Sequence, residues 1–507
     1  MSPLPPSSII RRPSSVGVRL SVLLLFALLL RLAFLFFAGV NAPLTGDELA
    51  YQQIAENVAS GRGLFQTNNP FFPGQTLYAW QAPLYPLALG LLYEIFGNHI
   101  LIGKLFGILV STATVFIVYD LTRRVFRFPI IAGKTDESRA HQIAFAAALL
   151  VAIYPGFLTN AHLLLSETQF IFFLMLACDL VAWALERGKN WQQWILFAAG
   201  GAAWGLATLT RGLTLYFTPL FALWIGYILF RRRRGVRSSA SPQFADASAN
   251  RETYMNASAS PLPRAFLSAF LFFAATALIL LPYSIRNYTV FGQFVLLETK
   301  GGVNLWLGNS PYTPNNFIRN VWKTGVREPM LNALPHGELA QDRAGYALAL
   351  NYIRSEPLTF LARMPIKFAD FWGFERNLID NAQETADGDG WHSISKLASD
   401  LFALVVYIFV MLWGIAGFLY ARDDAWKILF GGFVLYFLSI HLILFGDGRF
   451  HLPLIPFFAI YAGWMLVMPR RIDYSFPRVA LAILLAAFLL IVWGREAWFA
   501  WQVLRAG

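Results

Sequence analysis

Apolar residues come in long blocks along this chain, separated by short basic stretches and by two long mixed ones. A helix needs about 20 mostly apolar residues to cross the hydrocarbon core of a bilayer. Eleven blocks meet that need: 18–39, 100–121, 142–158, 163–185, 191–209, 213–230, 265–283, 400–420, 426–445, 452–468 and 479–492. The pattern predicts an all-α polytopic membrane protein with about 11 transmembrane helices. Composition supports this and excludes a soluble fold. Hydrophobic residues make up 57% of the 507 and charged residues only 14%, where a soluble domain carries about 25% charged. The mean hydropathy is +0.52. The first block is longer than the core of a cleavable signal and has no convincing small-residue cleavage site, so it is expected to remain as a span. Arg31 interrupts it, either snorkelling to the interface or facing the bundle interior.

Charge orients the spans. The net charge is +11 and the pI about 9.7, yet the basic residues sit in short loops, without a basic helix carrying interleaved aromatics. They therefore read as topology determinants, and no nucleic-acid partner is expected. With the N-terminus cytoplasmic, Arg11, Arg12 and Arg19 fall inside, as do Arg123, Arg124, Arg127, Lys134 and Arg139. Arg187 and Lys189, Arg231 to Arg234, Arg422 and Lys427, and Arg470, Arg471 and Arg478 fall on the same side. The outer side receives two long segments, 40–99 and 284–399. This divides the chain into an N-terminal transmembrane module (1–283, containing a first outer loop at 40–99), an outer domain of mixed composition (284–399) and a C-terminal transmembrane module (400–507). The stretch 235–263 is rich in Ser, Ala and Asn and reads as a disordered inner linker. The single cysteine, Cys178, excludes an intramolecular disulfide and reads as a small buried hydrophobe.

Candidate chemistry concentrates just after the first span. Asp47 and Glu48 open a short helix expected to run to about Ser60. Thr45 and Glu48 fit the S/T-x-x-E capping box, so Glu48 is either a cap or a catalytic group. Asp47 lies at the outer mouth of the bundle. It is either a general base towards an acceptor hydroxyl or a generic surface carboxylate. Residues 84–96 form an apolar run too short to span, so the first outer loop is expected to carry two interfacial helices. Lys104, His162, Glu167, Arg211, Arg286, Arg449 and His451 all fall at outer ends of spans, which suggests a shared polar pocket. His162 and Glu167 lack a helical ligand spacing, so no metal site is assigned. Asp179, deeper in its span, reads as a structural pair partner. In Gly446-Asp447-Gly448-Arg449 the turn residues predict a tight outer hairpin that presents Arg449, either to a phosphate or simply to solvent.

Four stretches, in this order, resemble the bacterial membrane glycosyltransferases of C-type fold, the family of protein O-mannosyltransferases and lipid A aminoarabinose transferases (glycosyltransferase family 39-like). They are Gly46-Asp47-Glu48 with Ala82-Pro83-Leu84-Tyr85-Pro86; Gly205 to Gly212, containing Arg211; Leu281 to Gly292 followed by Gly301 to Asn309; and Arg449-Phe450-His451-Leu452-Pro453-Leu454-Ile455-Pro456. The resemblance implies an essential first-loop acid at Asp47, a polyprenyl-phosphate-linked sugar as donor, and an outer domain that covers the active site and helps select the acceptor. It also adds Tyr85 to the pocket candidates. It leaves a divalent cation open and names no other cofactor.

These readings combine into an expected mechanism. The donor phosphate would be held by Arg449 with Lys104 or Arg211, while Asp47, with Glu48 beside it, takes the proton of the acceptor hydroxyl. One displacement inverts the anomeric centre. The acceptor is a glycan, a lipid or a protein, and membrane lipid surrounds the bundle. The rivals are a secondary transporter and a lipid-linked glycan polymerase or ligase. A transporter gathers its charges at mid-depth, whereas a transferase brings Asp47 close to the Arg449 hairpin.

Overall fold

The computed structural model describes residues 15–39, 42–127, 137–187, 191–239, 261–314, 324–374, 390–469 and 475–506. Helices dominate, and no strand occurs among the described residues; one isolated β-bridge joins Gln66 and Leu77 in the first outer loop. Among the described residues, nine helical segments are long and apolar enough to cross a membrane: Val16–Phe37, Ile100–Arg127, Glu167–Glu186, Gly212–Arg231, Pro263–Phe291, Leu401–Tyr420, Ala425–Ile443, Gly448–Val467 and Phe476–Arg495. The chain is a multi-pass membrane protein.

The two other expected spans are helices with different reasons for falling short. The run at 142–158 forms α5 (Glu137–Ile153), which stops at Tyr154 because Pro155 follows. A residue before proline is driven out of the α region, and Tyr154 is extended, with ψ 121°. The chain restarts as α6 (Pro155–Asn160). The run at 191–209 forms α8 (Trp191–Thr210), which carries Gln192, Gln193 and three glycines. It packs between α7 (Glu167–Glu186) and α10 (Pro261–Phe291) at backbone distance. A Cβ on Gly201 would lie 2.1 Å from the Phe272 carbonyl oxygen. Packed against protein on two sides along its glycine-rich part, α8 needs no continuous apolar surface there.

The remaining N-terminal helices are α1 (Ser15–Phe34), α2 (Asp47–Ala59), α3 (Leu84–Phe96), α4 (Ile100–Arg127) and α9 (Thr218–Ser239). α2 and α3 are the two short helices expected in the first outer loop. α3 turns Tyr85, Leu89 and Tyr93 inward and leaves Leu91, Ile95 and Phe96 exposed. α10 runs eight residues past the expected boundary at Tyr283, ending at Phe291, where Gly292 takes φ 64° and donates to the Tyr288 carbonyl. The outer segment, expected to be mixed, is helical where described: α11 (Gly301–Gly308), α12 (Thr324–Asn332), α13 (Glu338–Ser355) and α14 (Pro357–Phe371). The C-terminal helices are α15 (Gly390–Tyr420), α16 (Ala425–Ile443), α17 (Ile455–Val467) and α18 (Phe476–Ala506). Most of the expected inner linker at 235–263 lies outside the described residues.

Charges inside the bundle find local partners, neutral for Arg31 and acidic for Arg124. Arg31 faces the interior and is 1% exposed; it donates to the Ser111 hydroxyl and to the Ala27 and Ala152 carbonyls. At the ends of the spans away from the 40–99 loop Arg124 meets Asp120, Asp179 and Glu186, so Asp179 is the pair partner the sequence suggested. Cys178 is buried.

Candidate active site

The span ends nearest the 40–99 loop, that loop and the 284–399 segment enclose a cavity of about 680 Å³. Asp47 and Tyr51 enter it from α2, four residues apart on one helix face. Arg211 enters from the break between α8 and a 3₁₀ turn, Gly212–Phe217, where its own backbone is extended (φ −150°, ψ 123°). Arg449 comes from the 446–448 turn, where the Asp447 side chain accepts from the Arg449 backbone N–H at 3.1 Å and fixes the start of a 3₁₀ helix, Gly448–Leu454. A Cβ on Gly446 would lie 2.1 Å from the Lys367 carbonyl oxygen, so only glycine lets this turn press against α14.

Opposite charges pair within the cavity. Arg449 Nη1 donates to Asp47 Oδ2 at 3.3 Å, across 402 residues of sequence. Arg211 Nη1 lies 2.6 Å from Glu167 Oε1. Lys300 Nζ lies 3.3 Å from Glu298 Oε1 and donates to Gln81 Oε1 at 2.9 Å. Burial among these groups would raise the Asp47 carboxyl, but the charges of Arg449, Lys300 and Arg211 and the hydrogen bond from Arg449 outweigh it and hold Asp47 below the ordinary carboxylate range. The side chain is nonetheless 45% exposed, so its anion is presented to the cavity.

Glu48 points elsewhere. Its Oε2 accepts from the Thr45 backbone N–H at 3.1 Å and its Oε1 from the Leu164 backbone N–H at 2.9 Å, with the residue 4% exposed. Only the glutamate arm of the expected capping box forms. Gly46 is the cap position, and the Glu48 N–H goes to the Thr45 carbonyl rather than to its hydroxyl. Burial pushes the Glu48 carboxyl up, against the pull of its two backbone bonds and the Lys104 charge. Glu48 fastens α2 to the start of α7 and does not line the cavity.

Of the expected pocket residues, the cavity brings together Asp47, Glu167, Arg211 and Arg449. Lys104, His162, Arg286, His451 and Tyr85 are not among its lining residues. Lys104 is buried in α4, where its charge acts on Glu48. His162 is hydrogen-bonded to the Leu158 carbonyl and packs on Phe34. Arg286 donates to the Leu64 and Tyr78 carbonyls, tying the first loop to α10. His451 is hydrogen-bonded to the Phe371 carbonyl and stacks on Tyr407 and Trp372. Tyr85 packs edge-on against Tyr51, behind the cavity wall.

Sequence reasoning missed the far wall. Lys300 comes from the position just before α11, Asn304 from α11 itself, and Leu339, Asp342, Arg343 and Tyr346 from α13. The spacing 339, 342, 343, 346 is one face of a helix, a signal legible only once α13 is known to be a helix. Asp342 accepts from the Gly302 backbone N–H at 2.7 Å, and burial, with Glu338 nearby, pushes its carboxyl up to about 6. Glu338 accepts from the Tyr78 and Ala79 backbone N–H groups and from the Thr299 hydroxyl, clamping the outer segment onto the first loop. Among the described residues no group of three or more His, Cys, Asp or Glu is arranged to hold a metal ion.

Comparison with known proteins defines the class first. The chain shares the fold of the Archaeoglobus fulgidus oligosaccharyltransferase. The structure of that protein in complex with zinc and sulfate superposes with a TM-score of 0.50 over 94% of this chain and 52% of that one, at 16% identity. Its apo form gives the same score over 95% and 55%. This is the C-type membrane glycosyltransferase fold. In sequence, residues 80–243 match the family model described as dolichyl-phosphate-mannose-protein mannosyltransferase. Over 190 residues the chain is 26% identical to undecaprenyl phosphate-alpha-4-amino-4-deoxy-L-arabinose arabinosyl transferase of Pseudomonas paraeruginosa. That match covers 37% of this chain and 31% of the relative. Both matches cover about a third of the chain and fall in the group of proteins that its motifs resemble.

Proposed function

We propose that this protein transfers a sugar from a polyprenyl-phosphate donor to an acceptor hydroxyl, with Asp47 as general base. The observation that carries the reading is the Asp47–Arg449 contact inside the cavity, flanked by Lys300 and Arg211. An ionised carboxylate beside three cations suits a reaction that takes up one proton and releases one phosphate anion. The acceptor hydroxyl gives its proton to Asp47 as its oxygen bonds to the anomeric carbon. The bond from that carbon to the phosphate oxygen breaks, and the electron pair stays on the phosphate. Arg449, Lys300 and Arg211 neutralise that charge, so the leaving group needs no strong acid. A single displacement inverts the anomeric centre. When the phosphate binds, it also offsets the cations that hold Asp47 down, which makes Asp47 a stronger base in the complex.

The relatives' names point to the same donor class: a dolichyl-phosphate mannose in the family model and an undecaprenyl-phosphate sugar in the Pseudomonas enzyme. The basic short loops support a cytoplasmic N-terminus and a cavity on the outer face of a bacterial inner membrane. The acceptor is a glycan, lipid or protein hydroxyl entering from the outer segment. Transfer measured with and without a chelator decides whether a divalent cation adds to the charge on the phosphate. Membranes carrying the native chain, supplied with labelled polyprenyl-phosphate sugars, should form product, and membranes carrying Asp47→Asn should not. Product formation by a stably expressed Asp47→Asn chain would remove Asp47 from the role of base. The transporter alternative fits the site less well: Asp47 and Arg449 meet at a cavity bounded by the outer loop, not at mid-depth in the bundle.

A further inference from the structure

The motif Gly301-Gly302-Val303-Asn304-Leu305-Trp306-Leu307-Gly308 makes up the whole of α11. Asn304 is its single polar side chain. An asparagine is a poor residue for a helix interior, and every other side chain on this helix is apolar or absent. The apolar residues are buried: Val303, Trp306 and Leu307 join Phe72, Trp80 and Met330 in the core of the outer segment. Asn304 is partly exposed and lines the cavity. Its carboxamide has no hydrogen-bond partner among the described residues.

The helix that carries it is held rigidly. A Cβ on Gly302 would lie 1.9 Å from the Asp342 carbonyl oxygen, and one on Gly308 would lie 2.0 Å from the Leu444 carbonyl oxygen. The Trp306 indole donates to the Met330 carbonyl at 2.8 Å. Lys300, whose charge acts on Asp47, immediately precedes the helix. Asn304 follows one turn later on the same face, about 6 Å along the axis and about the length of one sugar ring. The Tyr346 hydroxyl rests against Gly301, where a Cβ would approach it to 2.2 Å, and Tyr346 also lines the cavity.

We propose that the Asn304 carboxamide, with the Tyr346 hydroxyl beside it, is the subsite that reads the hydroxyl groups of the donor's sugar ring, one helical turn from the cation that holds its phosphate. A carboxamide offers one acceptor and two donors at fixed spacing, which matches a pair of adjacent ring hydroxyls, each both donor and acceptor. The inference rests on the polyprenyl-phosphate reading above. A purely structural Asn304 would have its amide bonded to the backbone or to a neighbour, and it has neither.

The test is lipid binding by the full chain in nanodiscs. The probes are undecaprenyl phosphate, undecaprenyl-phosphate mannose and undecaprenyl-phosphate 4-amino-4-deoxyarabinose. The native chain is expected to bind at least one sugar-bearing lipid more tightly than the bare phosphate. Asn304→Ala should weaken that lipid about tenfold, the loss of one or two hydrogen bonds. It should leave binding of the bare lipid unchanged and should not lower the unfolding temperature, since alanine suits a helix better than asparagine. Tyr346→Phe should show a smaller loss of the same selectivity. Equal weakening of all three lipids by Asn304→Ala, or none, overturns the assignment. A native chain that binds all three equally also overturns it while leaving the phosphate reading standing. A native chain that binds none overturns the phosphate reading and this subsite together.

Discussion

Asp47 and Glu48 are neighbours in sequence and opposites in environment. Asp47 faces the cavity and meets Arg449, while Glu48 is spent on two backbone N–H groups. Substitutions should separate them. Asp47→Asn is expected to unfold like the native chain and to lose transfer. Glu48→Ala strands the Thr45 and Leu164 N–H groups and should cost about 1–3 kcal/mol of stability, read as a lower unfolding temperature. The lowered pKa of Asp47 has a kinetic signature. The base form persists as pH falls below the ordinary carboxylate range, so the acid limb of kcat/KM should lie there. Bound phosphate offsets the cations, so the acid limb of kcat should sit at higher pH. Superimposed limbs would contradict the proposed coupling. Asp342 has the opposite sign. Its pKa is raised to about 6, so the folded state holds a proton that the unfolded state has already released, and stability falls as pH rises from about 4 to 6. Asp342→Asn keeps an oxygen for the Gly302 N–H and removes the charge. It should raise the unfolding temperature at pH 7 and make no difference at pH 4.

Helices were the most legible level of the sequence, because the apolar blocks are long and a bilayer demands length. α2 and α3 were read nearly to the residue, since Gly46, Gly61 and Gly97 punctuate them, each with positive φ. Where the reading missed, the cause is local. Pro155 cut one apolar block into two helices, and α8 carries two glutamines at its start and buries its glycines against protein. The outer segment was illegible because α11 has only eight residues, α13 is not an apolar block, and their meeting depends on glycines whose role appears only in three dimensions. A Cβ on Gly345 would lie 2.4 Å from the Gly302 carbonyl carbon. Gly345→Ala should therefore force α13 away from α11 at about 1–3 kcal/mol, the usual cost of overpacking. Faster proteolysis of the outer segment in that variant would report it. Five of the expected pocket groups turn away from the cavity, Lys104, His162, His451 and Tyr85 into the core and Arg286, half-buried, onto the first loop, because proximity to the end of a span does not say which way a side chain turns.

For the whole molecule, the central feature is that distant pieces converge. The first loop, the α8 break, the outer segment and the 446–448 turn supply Asp47, Arg211, Lys300 and Arg449 to one cavity. The expectation that Asp47 would approach the Arg449 turn rested on the resemblance and is met at 3.3 Å. Lys300 could not be foreseen, because only the docking of the outer segment through Glu338 brings it there. The topology carries its own test. Cys178 is buried, so in a chain bearing Ser60→Cys the new thiol should be labelled by an impermeant reagent from the outer side of intact cells. In a chain bearing Arg422→Cys, labelling should require permeabilised cells. The most direct measurement of the central claim is sugar transfer from a labelled polyprenyl-phosphate panel by native, Asp47→Asn and Arg449→Ala membranes at matched expression. The account predicts product from the native chain, none from Asp47→Asn, and a rate about 100- to 1,000-fold lower from Arg449→Ala. Unchanged transfer in both variants would contradict it.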